Sequence, residues 1–424
     1  MAHELSSGVS TVVPSRYAFA AIKDDGSVVT WGDPEAGGDS SAVADDLVSG
    51  VVAIYANHQA FAARKSDGTV VVWGEAGKGG SVSSTIQAEL TNVVDISATW
   101  SSFAALKSDG SVVTWGYVWT GAGDKSEVSQ DLTSGVEKIY ANWYQFVAHK
   151  TDGSLVVWGD TFQCTHNAAF MEKWSEDFVE IVPNQRAFAA RRADGSVFSW
   201  GTESYISPVE NTFTIGCFGA FATELTLETH GTTSAIAATD RAFAALKTDG
   251  SVFTWGMGGG GSTAFCCNED IPALQSNVSS IVGNAYAFAA IKDDGSAIAW
   301  GNNSNGGQDI SGVAELQSGV QTIYPAGTVF ERGSAFAALK TDGSVASWGN
   351  QSSGGNSSSV ADKLSSGVST IVSSISAFAA LKTDGSVITW GSQYSGGDSS
   401  QLNFTQGCID IDSCESQTCS DHGT

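Results

Sequence analysis

A thirteen-residue stretch, Ala379 to Gly391 (AALKTDGSVITWG), returns in close copies nine times along a chain of 424 residues, and nothing else narrows the choice of fold as far. The glycines of its Asp-Gly step fall at Gly26, Gly68, Gly110, Gly153, Gly195, Gly250, Gly295, Gly343 and Gly385, spaced 42, 42, 43, 42, 55, 45, 48 and 42 residues apart. A fixed period in that range points to propeller blades or a solenoid. Two short apolar runs flank each Asp-Gly, a step whose positive φ suits a tight hairpin turn, so each copy predicts a β-hairpin. Both runs, Ala-Phe-Ala-Ala-Leu-Lys and Ser-Val-Val-Thr-Trp-Gly, are apolar on both faces, so each hairpin is covered on both sides. Nine tryptophans, Trp31, Trp73, Trp115, Trp158, Trp200, Trp255, Trp300, Trp348 and Trp390, are expected to fill the space between neighbouring units. The alanines are expected where wedge-shaped units converge on an axis.

A further strand precedes each hairpin. Leu5 to Val13 (LSSGVSTVV) returns as Leu364 to Val372 (LSSGVSTIV), with variants at Leu47 to Tyr55, Leu132 to Tyr140 and Leu316 to Tyr324. The unit is one strand, a short loop, the hairpin and a Gly/Ser/Asp-rich connection such as Ser395 to Ser400, whose composition is poor strand material. The expected fold is therefore all-β, a β-propeller of nine repeats of about 42 residues with mostly three strands per blade. It occupies residues 1–401, and a Cys-containing tail follows at 402–424. Propellers typically close with four to eight blades. A closed nine-bladed ring is the expectation, with a smaller ring carrying spare blades or an open superhelix as alternatives.

Charge narrows the partners. With 45 acidic against 20 basic side chains the net charge is −25, which argues against nucleic acid, since phosphate binding needs a basic face. No apolar run reaches the length of a membrane span, and the first residues show no signal-peptide core. Nine of the basic residues, Lys23, Lys65, Lys107, Lys150, Arg192, Lys247, Lys292, Lys340 and Lys382, stand two before the hairpin aspartates. This ring reads as turn chemistry with neighbour pairing, and as an anion-attracting rim in the sharper alternative.

Two insertions interrupt the pattern. Residues 205–230 carry Phe213, Ile215, Phe218, Phe221, Leu225 and Leu227 in a connection that is elsewhere polar. They form either an extra strand or plug on the array, or a partner-binding patch. The second, Pro325 to Phe330, is placed by chain direction on the face away from the Asp-Gly turns, which makes Phe330 another contact candidate.

No catalytic or metal motif emerges. His3, His58, His149, His166, His230 and His422 lack metal spacing, Gly258 to Gly261 lack a following Lys-Ser/Thr, and there is no Gly-x-Ser-x-Gly elbow. The recurring aspartates are turn residues. A non-enzymatic chain without cofactor follows. Cys164, Cys217, Cys266 and Cys267 lie in connections, where four thiols allow three pairings, and Cys408, Cys414 and Cys419 crowd the end. Five glycosylation acceptors, Asn277, Asn302, Asn350, Asn356 and Asn403, fit a secreted setting, as do disulfides among those cysteines.

The order Val-x-x-Ile, then Ala-Leu-Lys-x-Asp-Gly-x-Val-x-x-Trp-Gly, then a Gly-rich segment resembles the regulator of chromosome condensation family of β-propellers, from Leu5 to about Gln401. The short period and three strands are closest to its compact members. Where that family has Gly-x-x-His before the second strand, this chain has Ala56-Asn57-His58-Gln59 in repeat two and unrelated residues elsewhere. Its Asn-x-x-Gly-Gln-Leu-Gly survives only as Asn303 to Gln308. The resemblance implies loops presented to another protein. Asp410 to Thr424 resembles the opening of an epidermal-growth-factor-like module, with Asp410 and Asp412 as a calcium half-site before Cys414 and Cys419; Ser413 stands where that site usually has Glu. The expected function is a non-enzymatic extracellular or cell-surface binding or assembly module, part of a larger assembly, with a protein or glycan partner. The alternative is a cytoplasmic regulator resembling nucleotide-exchange or ubiquitin-ligase-associated propellers.

Overall fold

The computed structural model describes residues 8–117, 123–159, 178–202, 214–217, 220–225, 232–256, 271–327, 333–384, 386–393 and 397. Nine antiparallel sheets follow one another, as the repeat predicts. The blades span 9–32, 51–74, 93–116, 136–159, 178–202, 233–256, 278–301, 320–349 and 368–391. In each, three strands pair in sequence order, and in eight of them those three are the whole sheet. Blade 5 gains two further strands, Thr214–Cys217 and Ala220–Leu225, which extend its third strand outward and make it five-stranded. The strand alternative for the 205–230 insertion is thus met.

First strands of consecutive blades touch one another while third strands do not share such contacts, so the first strand forms the inner edge of each blade. A β-bulge between its first and third residues recurs in all nine blades, adding local twist where the blades converge. The alanines are not at the axis, contrary to the sequence expectation. They sit in the middle strand, under the bulky residues of the next blade.

Register explains why. In every blade the second-strand Phe lies opposite the third-strand Trp, as Phe61 does Trp73, and the two rings stack with centroids 5.2 to 5.4 Å apart. From blade 2 onward each pair of rings faces small residues in the middle strand of the preceding blade, alanines at every junction but one, where Val147 stands instead. Phe61 and Trp73, for example, form one buried cluster with Ala18, Ala20 and Ile22. Among the described residues there are eight such clusters, one per junction between consecutive blades. The core is a row of interfaces, as expected when units pack only on their neighbours.

Backbone hydrogen bonds fasten the junctions at the Asp-Gly end. The glycine carbonyl of one turn accepts from the first strand of the next blade, as in Val51 N to Gly26 O at 3.0 Å and Val136 N to Gly110 O at 3.0 Å. The turn itself is a three-residue loop with Gly26 at φ +75°, the pattern of a type I turn closed by a glycine bulge. Lysines belong to this architecture. The amines of Lys65, Lys150, Lys292 and Lys382 each donate to a backbone carbonyl of the preceding connection at 2.9 Å. The hairpin aspartates accept from the following Ser or Thr, as Asp67 Oδ1 does from the Thr69 amide at 2.9 Å and hydroxyl at 2.6 Å. Those bonds hold the Asp67 and Asp109 carboxyls below their ordinary range. The ring of charge is turn chemistry, and these four lysines hold backbone carbonyls of the preceding connection.

The faces by which blades 1 and 9 would meet in a closed ring are uncovered. Phe19 is 41% exposed whereas its counterparts Phe61, Phe103, Phe146 and Phe188 are fully buried, and Val372 on blade 9 is 62% exposed. Among the described residues the expected closure is not formed.

Candidate binding face

The loops between first and second strands gather at the end away from the Asp-Gly turns, and their first residue sets their shape. In residues 57–59, 142–144, 184–186 and 284–286 an Asn side chain accepts two backbone N–H groups: Asn142 Oδ1 takes Tyr144 N and Gln145 N, both at 2.8 Å. The Thr239 hydroxyl accepts Arg241 N at 3.4 Å and Ala242 N at 3.0 Å, and the Thr99 hydroxyl accepts Ser102 N at 3.1 Å. This is the side-chain turn that Asn and Thr favour, and it leaves the middle residue of the loop free to project. Loops of adjacent blades then bond to one another: Trp100 N donates to Trp143 O at 3.0 Å, Trp143 N to Gln185 O at 3.3 Å, and Asp240 N to Ala285 O at 3.0 Å.

Middle residues of consecutive loops therefore become neighbours although about 42 positions separate them. Over blades 1 to 4 they are Arg16, His58, Trp100 and Trp143, and they form a stack. The Arg16 Nη1 donates to His58 Nε2 at 2.7 Å. His58 lies on Trp100 with ring centroids 3.8 Å apart, and Trp100 is 4.5 Å from Trp143. Tyr17 meets His58 edge-on at 5.4 Å, and the Arg16 guanidinium lies over Tyr17 and Trp100 at 5.2 and 5.7 Å. On the far side Arg186 lies over Tyr144 at 5.2 Å. The cations and rings attract one another by cation–π contact. The rings of His58, Trp100, Trp143 and Tyr144 are half-buried and Arg16 is exposed, so the stack presents a face to solvent. Blades 6, 7 and 9 place Asp240, Ala285 and Ile375 at the same middle position, so the run of Arg16, His58, Trp100 and Trp143 does not continue there, although Arg241 and Tyr286 follow in the loops of blades 6 and 7.

Burial, and next the Arg16 charge, hold His58 below its ordinary value; Lys78 acts in the same sense, and Gln59 opposes them. A neutral Nε2 is also what the Arg16 donor requires. The folded protein therefore takes up this proton at lower pH than the unfolded chain, whose histidine titrates near about pH 6.5. The stability that neutral His58 contributes is complete above that pH and is lost as pH falls below it. Acid titration followed by tryptophan fluorescence should show this transition in the wild-type protein and lose it in His58→Gln. An unchanged transition in His58→Gln would assign the signal elsewhere.

Other nominated residues are less gathered. Ile215, Phe221, Leu225 and Cys217 fall on the two added strands of blade 5, where Phe221 pairs with Gly201 and Leu225 with Val197 in register. Phe213, Phe218, Leu227, Phe330, Cys164, Cys266, Cys267, Cys408, Cys414, Cys419, Asn403, Asp410 and Asp412 lie outside the described residues. Asn277 and Asn356 are exposed, while Asn302 and Asn350 cap turns by accepting from Ser304 N and Ser352 N. Among the described residues no group of three His, Cys, Asp or Glu side chains is placed to hold a metal. None of their helices is long and apolar enough to cross a membrane.

The stack was not anticipated, yet the sequence held its signal. Of 13 tryptophans nine belong to the hairpins; of the other four, Trp100 and Trp143 stand 43 residues apart, the spacing of Trp115 and Trp158 in the same two repeats.

No protein-family model matches the chain. No curated protein does either. Solved structures with a similar chain path include yeast RCC1 (Prp20) bound to Kap60, at 17% identity over 65% of this chain and 78% of that one with a TM-score of 0.40. Human WBSCR16 is similar at 14% identity over 80% and 83%, also with a TM-score of 0.40. The CRINKLY WD40 ectodomain of the Arabidopsis thaliana receptor kinase ACR4 follows at 19% identity over 68% and 90%, with a TM-score of 0.36. Likeness of this degree assigns neither family nor partner, and the propeller architecture rests on the nine sheets themselves.

Proposed function

We propose that the chain is a non-enzymatic binding or assembly module of the extracellular space or cell surface, which receives a protein or glycan partner on its loop face. The observation that carries this reading is the half-exposed stack of Arg16, His58, Trp100 and Trp143 on one half of the rim. Trp, Tyr and Arg are the residue types that dominate binding energy when a partner covers them. The Arg16 and Arg186 guanidiniums that flank the stack, in a chain of net charge −25, favour an approach in one orientation. The insertion whose strands Thr214–Cys217 and Ala220–Leu225 widen blade 5 supplies a second contact. The extracellular setting is supported by cysteines that all lie outside the nine repeated hairpins, and by exposed acceptors at Asn277 and Asn356. An epidermal-growth-factor-like continuation with calcium at Asp410 and Asp412 belongs to the same reading.

The test presents the wild-type protein and the Trp100→Ala/Trp143→Ala variant to immobilised glycans and to cell-surface proteins. A partner held by the wild type and weakened about thirtyfold or more by the double variant, the loss of about 2 kcal/mol expected of a central aromatic contact, supports the loop face. A partner held equally by both removes it. Mass spectrometry of the native protein distinguishes the compartments: seven free thiols and unmodified Asn277 and Asn356 would place the module inside the cell.

A further inference from the structure

Every junction inside the array joins the same two half-surfaces. The blade ahead contributes middle-strand alanines, with Val147 in their place on blade 4, and on blades 1, 3, 6, 7 and 8 a middle-strand Leu or Ile, together with a first-strand residue such as Val13, Tyr55 or Tyr324. The blade behind contributes the Phe–Trp pair and the first-strand Val and Ile, such as Val51 and Ile54. Blade 1 carries the second half with no described residue covering it. Val12, whose counterparts Ile54, Ile96, Ile139 and Ile371 are all buried, is 48% exposed, and Phe19 beside it is the hairpin phenylalanine that lacks its cover. Blade 9 carries the first half with no described residue covering it: Val372 is exposed, and Ala379, Leu381 and Val387 are only half-buried although their counterparts Ala62, Ala104, Leu106, Val70 and Val112 are buried.

We propose that the occupant of each of these end faces is a second copy of this chain, joined head to tail, with blade 9 of one molecule stacked on blade 1 of the next. Three observations select that occupant. The half-surfaces at the two ends are those that meet at all eight internal junctions, so the complementary shape and residue types are already built eight times. Neither end face carries a charged side chain at the positions named, and exposed contiguous apolar surface of this kind marks an association site. The described residues of the array leave both ends uncovered, whereas contact between molecules satisfies both without moving a blade. Such a contact is heterologous, using different patches on the two partners, so it propagates unless its rotation closes.

Sedimentation velocity and light scattering on the purified chain, over a series of concentrations, test this directly. The expected masses rise in whole multiples of 43.8 kDa. Val12→Glu spoils only the face of blade 1 and Val372→Glu only that of blade 9; both positions are exposed, so each variant should keep the wild-type circular dichroism spectrum. Each alone is expected to remain monomeric. Mixed together, they retain one good face each and should form a dimer that grows no further. A wild-type chain that is monomeric at every concentration overturns the proposal, as does assembly undiminished in either variant, or a mixture of folded variants that stays monomeric. The readout is independent of any loop-face partner.

Discussion

Truncating Phe103 to Ala lowers the denaturant midpoint sharply, by an amount corresponding to about 3 to 5 kcal/mol, whereas the same change at Phe19 costs about 1 to 2 kcal/mol. The two residues occupy one repeat position and make the same ring stack, Phe103 on Trp115 and Phe19 on Trp31, both at 5.2 Å. They differ only in what lies on the other side. Phe103 is covered by Ala60, Ala62 and Val70 of the preceding blade, and Phe19 is 41% exposed. The difference between two identical substitutions thus measures the inter-blade contact itself. Equal losses at both positions would show that stability resides within blades, against the row of junctions described above. Urea unfolding followed by circular dichroism, with hydrogen exchange to locate the loosened blades, makes the measurement.

Gly79→Ala is expected to be nearly as costly, for a different reason. Gly79 lies at φ +93°, and a Cβ there would stand 2.8 Å from Phe103 Cδ2 and 3.2 Å from Trp115 Cδ1. Its carbonyl also accepts the Trp115 Nε1 hydrogen bond at 3.1 Å, so the loop cannot retreat without losing that bond. Left-handed backbone contributes about 1 to 2 kcal/mol and over-packing about 1 to 3 kcal/mol. Gly77, two residues earlier, meets only the Glu75 carboxylate at 3.6 Å, and Gly77→Ala is expected to be neutral or slightly stabilising. Thermal unfolding of the pair decides it: similar midpoints would mean that the Gly79 loop does not press on the ring stack.

How far the sequence could be read depends on whether a feature repeats. The hairpins, the strand before each and the Asp-Gly turns were legible because nine copies average out local accident. The insertion was legible as a departure from that average, and it became two strands on blade 5. Alanine misled. Small residues suggested crowding at an axis, but Ala62 and Ala104 are small because the Phe–Trp pair of the next blade lies on them. The binding face was missed because its members come from different blades, one residue each, and proximity arises only from the loop-to-loop bonds of Trp100, Trp143 and Gln185. Ring closure was equally hidden, since it depends on the sum of eight small rotations that no residue encodes alone.

The sameness of the eight junctions also bears on how such a chain changes length. Deleting any one complete unit of about 42 residues brings together two surfaces that already fit, and duplicating one inserts a spacer that fits on both sides. Lineages of this protein are therefore free to gain or shed whole units while the rim chemistry at Arg16, His58, Trp100 and Trp143, which needs four particular neighbours in order, is not.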